Sequence, residues 1–417
     1  MEHKRQIWSA IEPFLQKKMG RIIVLTGARQ IGKTTLARKK FAEYEYVSVE
    51  DPALRTQLAA LPANQWQILH PMAILDEVQK EPSLIESVKS TYDQFDDVRY
   101  VLLGSSQILL LKKVRESLAG RCVIFTLQPL VVPELQTSSW NDELKPSIWQ
   151  QTLKSGFDKN LILPFFMLDK RYPQMKNAWT HYERFGAYPA LTDESMDEND
   201  RYVWLDTYVK TYLERDVRDL VALRDLEPYM KLQRAIALQT GCLINVSSLA
   251  TEIGVSSKTV KQYIEYLNVS FQTIILPSWE RNQQKRLVKT PKIHCLDNGV
   301  LQAILHKRGG LTGNEFESLV VSEIYKQANN IRANVNFYHL RTHDGKEIDL
   351  LIETQDGYYA FEIKMAEHVS ATDARHLRNL QEFLDKPLLH SFLLSNDNQT
   401  HQFSDSITAV SAAYFLG

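Results

Sequence analysis

Gly27-Ala28-Arg29-Gln30-Ile31-Gly32-Lys33-Thr34 meets the spacing G-x-x-x-x-G-K-[ST] at every position. Phosphate chemistry accounts for each residue type. The glycines let the backbone curl until its N–H groups face an anion, and the following helix N-terminus adds positive potential. Lys33 is placed to contact the terminal phosphates of a nucleotide. Thr34 is placed to ligate the Mg²⁺ that accompanies them, and Thr35 continues the loop into the helix. The flanks agree, with apolar Ile22 to Leu25 before the loop and helical Lys33 to Phe41 after it. ATP with Mg²⁺ is the expected ligand; a chance match in a strand–turn–helix unit is the bland alternative.

A second strand, Ala73-Ile74-Leu75, ends in Asp76-Glu77. Asp76 then falls near the metal, directly or through water, and Glu77 can polarise an attacking water. A third strand, Tyr100 to Leu103, ends in Gly104-Ser105-Ser106. Ser105 could bond the lytic water or the γ-phosphate, or belong to a plain turn. Arg121 precedes the next apolar run and is a candidate to stabilise charge on a neighbouring subunit's γ-phosphate. An ordinary surface or ion-paired arginine is the other reading.

Two further constellations lie downstream. Val246 to Val260 has helix-turn-helix spacing: Leu249, Ala250 and Ile253 share a face, Gly254 allows a tight turn, and Ser256 can cap a second helix. Its outer face carries Ser257, Lys258, Lys261 and Gln262, able to reach phosphates or base edges. Thr273–Leu276 could begin a wing. Arg281, Lys285, Arg286, Lys289 and Lys292 follow with no acid between 281 and 292, a cluster that could neutralise phosphates. A packing module with a solvated basic hairpin is the alternative. Finally, Glu347 to Ile352 reads as a strand, turns at Asp356-Gly357, and returns as Tyr359 to Lys364. Alternation puts Glu362 and Lys364 on one face, and pairing across the turn can bring Asp349 beside Glu362. The order D-x12-E-x-K resembles the PD-(D/E)xK restriction-endonuclease-like superfamily, with Glu317 matching its first-helix acid, although Ile348 stands where the name has proline. That resemblance implies two acids holding Mg²⁺ and Lys364 orienting water. An exposed hairpin with charges on its wet face, or a nuclease-like fold without activity, are the alternatives.

The elements that must position these residues occupy 417 residues, enough for two to four domains. Hydrophobic residues at 44% and charged residues at 24% fit a soluble globular chain, and a net charge of −1 excludes indiscriminate coating of nucleic acid. Cys122, Cys242 and Cys295 have neither disulfide nor metal-ligand spacing. No run approaches the ~20 apolar residues of a bilayer span, so a cytoplasmic protein without membrane contact is expected. Strands alternating with helices imply a parallel sheet covered on both faces.

Thr26 to Thr35, Leu75-Asp76-Glu77-Val78-Gln79, and Gly104-Ser105-Ser106 with Glu116 to Arg121 together resemble one group of prokaryotic AAA-superfamily ATPases, as do Tyr212 to Val217 and Pro291 to Gly299. The resemblance implies nucleotide sites near subunit boundaries, and hence a homo-oligomer. The expected architecture is multidomain α/β. It comprises a parallel-sheet P-loop ATPase domain (1–135), a helical linker or lid (136–200), a helical and winged-helix domain (201–305) and a restriction-endonuclease-like α/β domain (306–417). The expected function is ATP hydrolysis coupled to DNA binding or processing. A nucleotide-dependent switch or scaffold that recruits protein partners, with an inactive nuclease-like domain, is the alternative.

Overall fold

The computed structural model describes residues 2–104, 114, 116–213, 226–286, 289–342 and 345–417. Its first sheet holds β1 (Ile22–Thr26), β2 (Glu45–Ser48), β3 (Met72–Asp76), β4 (Arg99–Gly104) and β5 (Val123–Thr126), in the order β2-β3-β4-β1-β5. Every pairing is parallel. Successive side chains leave a strand on opposite faces. Ile23 and Leu25 accordingly join Leu36 and Ala37 of α1 (Lys33–Lys40) in one core. Ile22 and Val24 join Leu84 and Val88 of α2 (Ser83–Gln94) in another. The parallel sheet covered on both faces is what the alternating pattern predicts.

Residues 136–200 contribute α3 (Ile148–Ser155) and α4 (Tyr172–Phe185). Ser147 caps α3 by accepting a hydrogen bond from the Gln150 amide. Trp149 and Trp179 are fully buried and share a core with Phe361 and Phe392 of the C-terminal sheet and Phe415 of the helix Ala412–Leu416. The stretch without a sharp sequence pattern is therefore packed against the C-terminal region. Next come α5 (Glu198–Tyr208), α6 (Glu227–Leu238), α7 (Val246–Ile253) and α8 (Ser257–Val269). Gly254 ends α7 at φ +78°, and Ser256 caps α8 through the Thr259 amide at 3.1 Å. Tyr229, Leu249, Val260 and Leu267 tie α6, α7 and α8 together. Beside them lies an antiparallel sheet ordered β6-β8-β7, made of β6 (Cys242–Leu243), β7 (Thr273–Leu276) and β8 (Lys292–Cys295).

After α9 (Asn298–Leu305) and the long α10 (Gly313–Asn330) comes a six-stranded sheet ordered β13-β14-β12-β11-β10-β9. Its strands are β9 (Asn336–Arg341), β10 (Glu347–Glu353), β11 (Tyr358–Lys364), β12 (Leu388–Ser395), β13 (His401–Ser404) and β14 (Ile407–Ser411). β10 and β11 form the expected antiparallel hairpin, and β11, β12 and β14 run parallel. Between β11 and β12 lie two 3-10 turns, Arg375–Leu377 and Leu380–Phe383, in place of a continuous helix. Extended Arg378 and left-handed Asn379 (φ +55°) separate them. Among the described residues no helix is long and apolar enough to cross a membrane.

Candidate nucleotide site and carboxylate cluster

The phosphate-binding loop connects β1 to α1, at the carboxyl ends of the strands, where α/β sheets place ligands. Gly27 has φ +146°, and a Cβ there would lie 2.3 Å from the Leu127 carbonyl oxygen, so no larger residue fits. Gly32 turns at φ +89° immediately before α1. Lys33 is buried, its Nζ donating to the carbonyls of Gly27 (2.9 Å) and Ala28 (2.6 Å). Thr34 Oγ1 donates to Asp76 Oδ2 at 2.7 Å, and Oδ1 of Asp76 accepts from the Glu77 amide at 3.0 Å. Glu77 itself sits at φ +58°, a costly conformation for a non-glycine residue, and accepts from Gln79 Nε2 at 2.5 Å. Arg29, Gln30, Lys33, Thr34, Thr35 and Glu77 border one cavity of about 400 Å³. The paired Thr34 hydroxyl and Asp76 carboxylate are hard oxygen donors of the kind Mg²⁺ takes, with phosphate and water completing its shell.

The sequence reading missed contributors from three other segments. Tyr46 on β2 donates to Asp76 Oδ2 at 2.9 Å; burial first, and then the Asp76 charge, pushes its phenol up to about 12. Arg5 is buried ahead of the first helix. Its guanidinium donates to the carbonyls of Ile31 (2.7 Å) and Gln128 (2.5 Å), and its Nε lies 3.1 Å from Glu134 Oε2. Burial pushes the Glu134 carboxyl up while the Arg5 charge pulls it back. From the middle of the chain, Pro189 and Ala190 reach the cavity rim, and Tyr208 Oη donates to the Arg29 carbonyl at 3.4 Å. No local motif marks any of these, because each acts from a distant segment. Ser105 lies outside the described residues. Arg121 is partly exposed and makes a two-pronged ion pair with Asp93 (2.7 and 3.0 Å), which holds the Asp93 carboxyl below its ordinary range.

The second constellation assembles as a cleft of about 400 Å³ bordered by Glu317, Glu347, Asp349, Glu362 and Lys364. Asp349 Oδ2 accepts from the Ile363 amide at 2.9 Å, and Lys364 Nζ donates to Glu362 Oε1 at 3.2 Å. Burial, and then the Asp349 charge, pushes both Glu317 and Glu362 well above the carboxylate range. The structure thus brings the four expected residues together. It also places Lys292 among them, 2.9 Å from Glu317, 3.2 Å from Glu347 and 3.6 Å from Asp349. Among the described residues no group of three His, Cys, Asp or Glu is arranged to hold a metal. As they stand, these residues do not fit the Mg²⁺ that the resemblance implies.

The basic stretch differs from its expectation as well. Lys292 is buried in that cleft, and Lys289 pairs with Glu280. Arg286 has a side chain only 10% exposed: it lies over the Trp279 and Tyr338 rings, 3.6 Å from Glu353 and 3.5 Å from Asp385. Two of the five cations, Arg286 and Lys292, are therefore neutralised by acids distant in sequence and Lys289 by nearby Glu280, and Arg286 is not free to meet phosphate. Arg281, Lys258 and Lys261 are exposed, while the Lys285 side chain lies outside the described residues.

Comparison with known proteins fits the N-terminal geometry. Residues 19–136 match a family described as AAA domain. Residues 176–310 and 312–415 match two domains of unknown function, DUF8612 and DUF4143. Uncharacterized proteins of Mycobacterium bovis and Mycobacterium tuberculosis are each 27% identical over 405 residues, covering 95% of this chain and 81% of theirs. A Walker-type ATPase of Pyrococcus abyssi aligns at TM-score 0.45 and 16% identity, over 72% of this chain and 95% of that one. A STAND signal-transduction ATPase of Pyrococcus horikoshii aligns at TM-score 0.27 and 12% identity, over 75% and 43%. The chain carries an AAA-type P-loop ATPase domain on a multidomain α/β framework.

Proposed function

We propose that the chain binds MgATP at the loop, hydrolyses it, and couples turnover to DNA. The carrying observation is the Thr34–Asp76 hydrogen bond beside Lys33 and Glu77 on one cavity. The ammonium of Lys33 exchanges two loop carbonyls for phosphate oxygens, and Thr34 and Asp76 hold the metal. Mg²⁺ held by Thr34 and Asp76 would supply neutralisation of the charge developing on the phosphates. Glu77 orients the attacking water and takes up its proton. Pro189 and Ala190 border the nucleotide cavity and Tyr208 bonds the loop carbonyl of Arg29, so the segments leading to the middle of the chain reach the site.

The DNA part rests on α6, α7, α8 and β6-β8-β7, an order that fits a winged helix. The outer face of α8 exposes Lys258, Lys261 and Gln262. The β10–β11 hairpin and α10 fit a nuclease-like module, in working or inactive form. In a homo-oligomer, Arg121 would leave Asp93 for the γ-phosphate of a second copy; the present pair is solvent-screened and therefore weak. ATP turnover measured with and without duplex DNA tests the coupling: absence of both stimulation and low-salt binding removes the DNA part.

One observation favours the scaffold reading. Leu163, Phe165, Met167 and Leu168 are 44%, 77%, 53% and 82% exposed along one loop, an apolar surface of the kind protein partners cover. A Glu77→Gln chain that traps ATP and changes mass in solution, with very slow wild-type turnover, supports that reading over DNA coupling.

A further inference from the structure

The carboxylate cleft holds a cation that the chain itself supplies. Lys292 arrives on β8, from the sheet packed against α7 and α8, whereas its acids stand on α10 and β10. Its side chain is 4% exposed. Attraction to Glu317 and Asp349 outweighs the cost of burial and raises its pKa, so it stays an ammonium. The acids are not all satisfied by it. Glu362 is 3% exposed, and its Oε2 has no hydrogen-bond partner. On β8, strand alternation puts His294 on the same face as Lys292, and its Nε2 lies 3.9 Å from Glu317 Oε1. Both His294 ring nitrogens are buried without a hydrogen-bond partner. The cleft therefore keeps the oxygen atoms of a cation site, but their shared centre is taken by a side chain.

We infer that Lys292 is the resident cation of this cleft and sets its specificity, excluding a divalent metal from Glu317 and Asp349 until β8 withdraws it. The inference rests on the C-terminal part of the proposed function, the reading of α10 and the β10–β11 hairpin as a nuclease-like module. It adds that the unit placed to hold DNA carries the residue that blocks these acids. An ammonium and a divalent ion compete for the same oxygens, because neither tolerates the other at contact distance.

Mn²⁺ binding to the full chain without nucleotide, followed by electron paramagnetic resonance, tests this. Lys292→Met should bind Mn²⁺ at least about ten times more tightly than the wild type, a step of the size that reshaping a metal site produces. Lys292→Arg should bind no better than the wild type, and adding Asp349→Asn to Lys292→Met should abolish the gain. Should Lys292→Met not fold, Lys292→Met with Glu347→Gln removes one charge of each sign and keeps the other acids. Equal affinity in wild type and either Met variant, or no binding in any of them, overturns the inference. Tight Mn²⁺ binding by the wild type with DNA cleavage overturns the inference and leaves the nuclease reading standing. A gain of metal without cleavage in any variant does the reverse.

Discussion

The nucleotide loop and the C-terminal cleft use the same residue types and arrange them oppositely. At the loop, Lys33 bonds neutral carbonyls, and Asp76 is held by the hydroxyls of Thr34 and Tyr46. These loop carbonyls and hydroxyls are neutral groups whose places phosphate and metal can take. In the cleft, Lys292 lies directly among three carboxylates. The acids around Lys292 arrive from α10 and β10, elements distant from β8, and composition alone does not reveal that pairing.

The largest expected effect lies on the open side of that comparison. Lys33→Ala should weaken ATP binding by at least about 100-fold, roughly 2.7 kcal/mol, with turnover lost. Titration with a fluorescent nucleotide reads this directly, and unchanged affinity would dissolve the distinction between the two sites. Arg5→Met comes next. It leaves Glu134 buried without its cation, held only by neutral donors such as the Gln6 and Val131 amides, at a cost of about 3–5 kcal/mol in stability. Thermal unfolding should show that loss, and adding Glu134→Gln should recover part of it. The Ile31 carbonyl also loses its donor, so the double variant should retain a raised KM for ATP. A double variant with wild-type KM would confine Arg5 to a purely structural role.

The two sites also differ in how far they could be read along the chain. The loop was legible because contiguous backbone does most of the binding, and each glycine there answers a local demand: Gly27 the closeness of Leu127, Gly32 the turn into α1. The C-terminal acids were legible as an order of residues on one helix and one hairpin. Their neutralisation was not, because β8 reaches them only through tertiary packing. Arg286 makes the same point. It stands in a run without acids, yet Glu353 and Asp385 arrive from the C-terminal sheet and the segment preceding β12. Tyr172, Met175, Trp179 and Tyr182 do fall at helical spacing, but the partners that bury them come from the distant C-terminal region, which nothing in 136–200 announced.

A pH experiment sharpens the contrast on the filled side. The folded chain holds Glu362 protonated to higher pH than the unfolded chain does, because burial and the Asp349 charge oppose its ionisation. Between the ordinary carboxylate range and that raised value the unfolded state binds fewer protons, so this group's contribution to stability falls as pH rises. Glu362→Gln, which cannot ionise, should therefore gain roughly 1–2 kcal/mol on the wild type between about pH 5 and pH 8. Chemical denaturation of both chains at several pH values checks it, and a pH-independent difference would mean that Glu362 is already ionised in the fold.

The smallest effects are expected where charge meets water, and they separate exposed lysines from buried arginine. Lys258 and Lys261 project from α8, so each alanine variant should weaken duplex binding modestly and lower the slope of log affinity against log salt by about 1. Arg286→Ala should leave that slope unchanged. Its guanidinium is committed to Glu353, Asp385 and two aromatic rings, so its loss should appear as lower stability instead. Fluorescence anisotropy across a salt series, with a thermal midpoint for each variant, distinguishes the two. If Arg286→Ala reduced the slope as the lysine variants do, the segment around β8 would have to open when DNA binds, the same movement that withdrawal of Lys292 from its carboxylates requires.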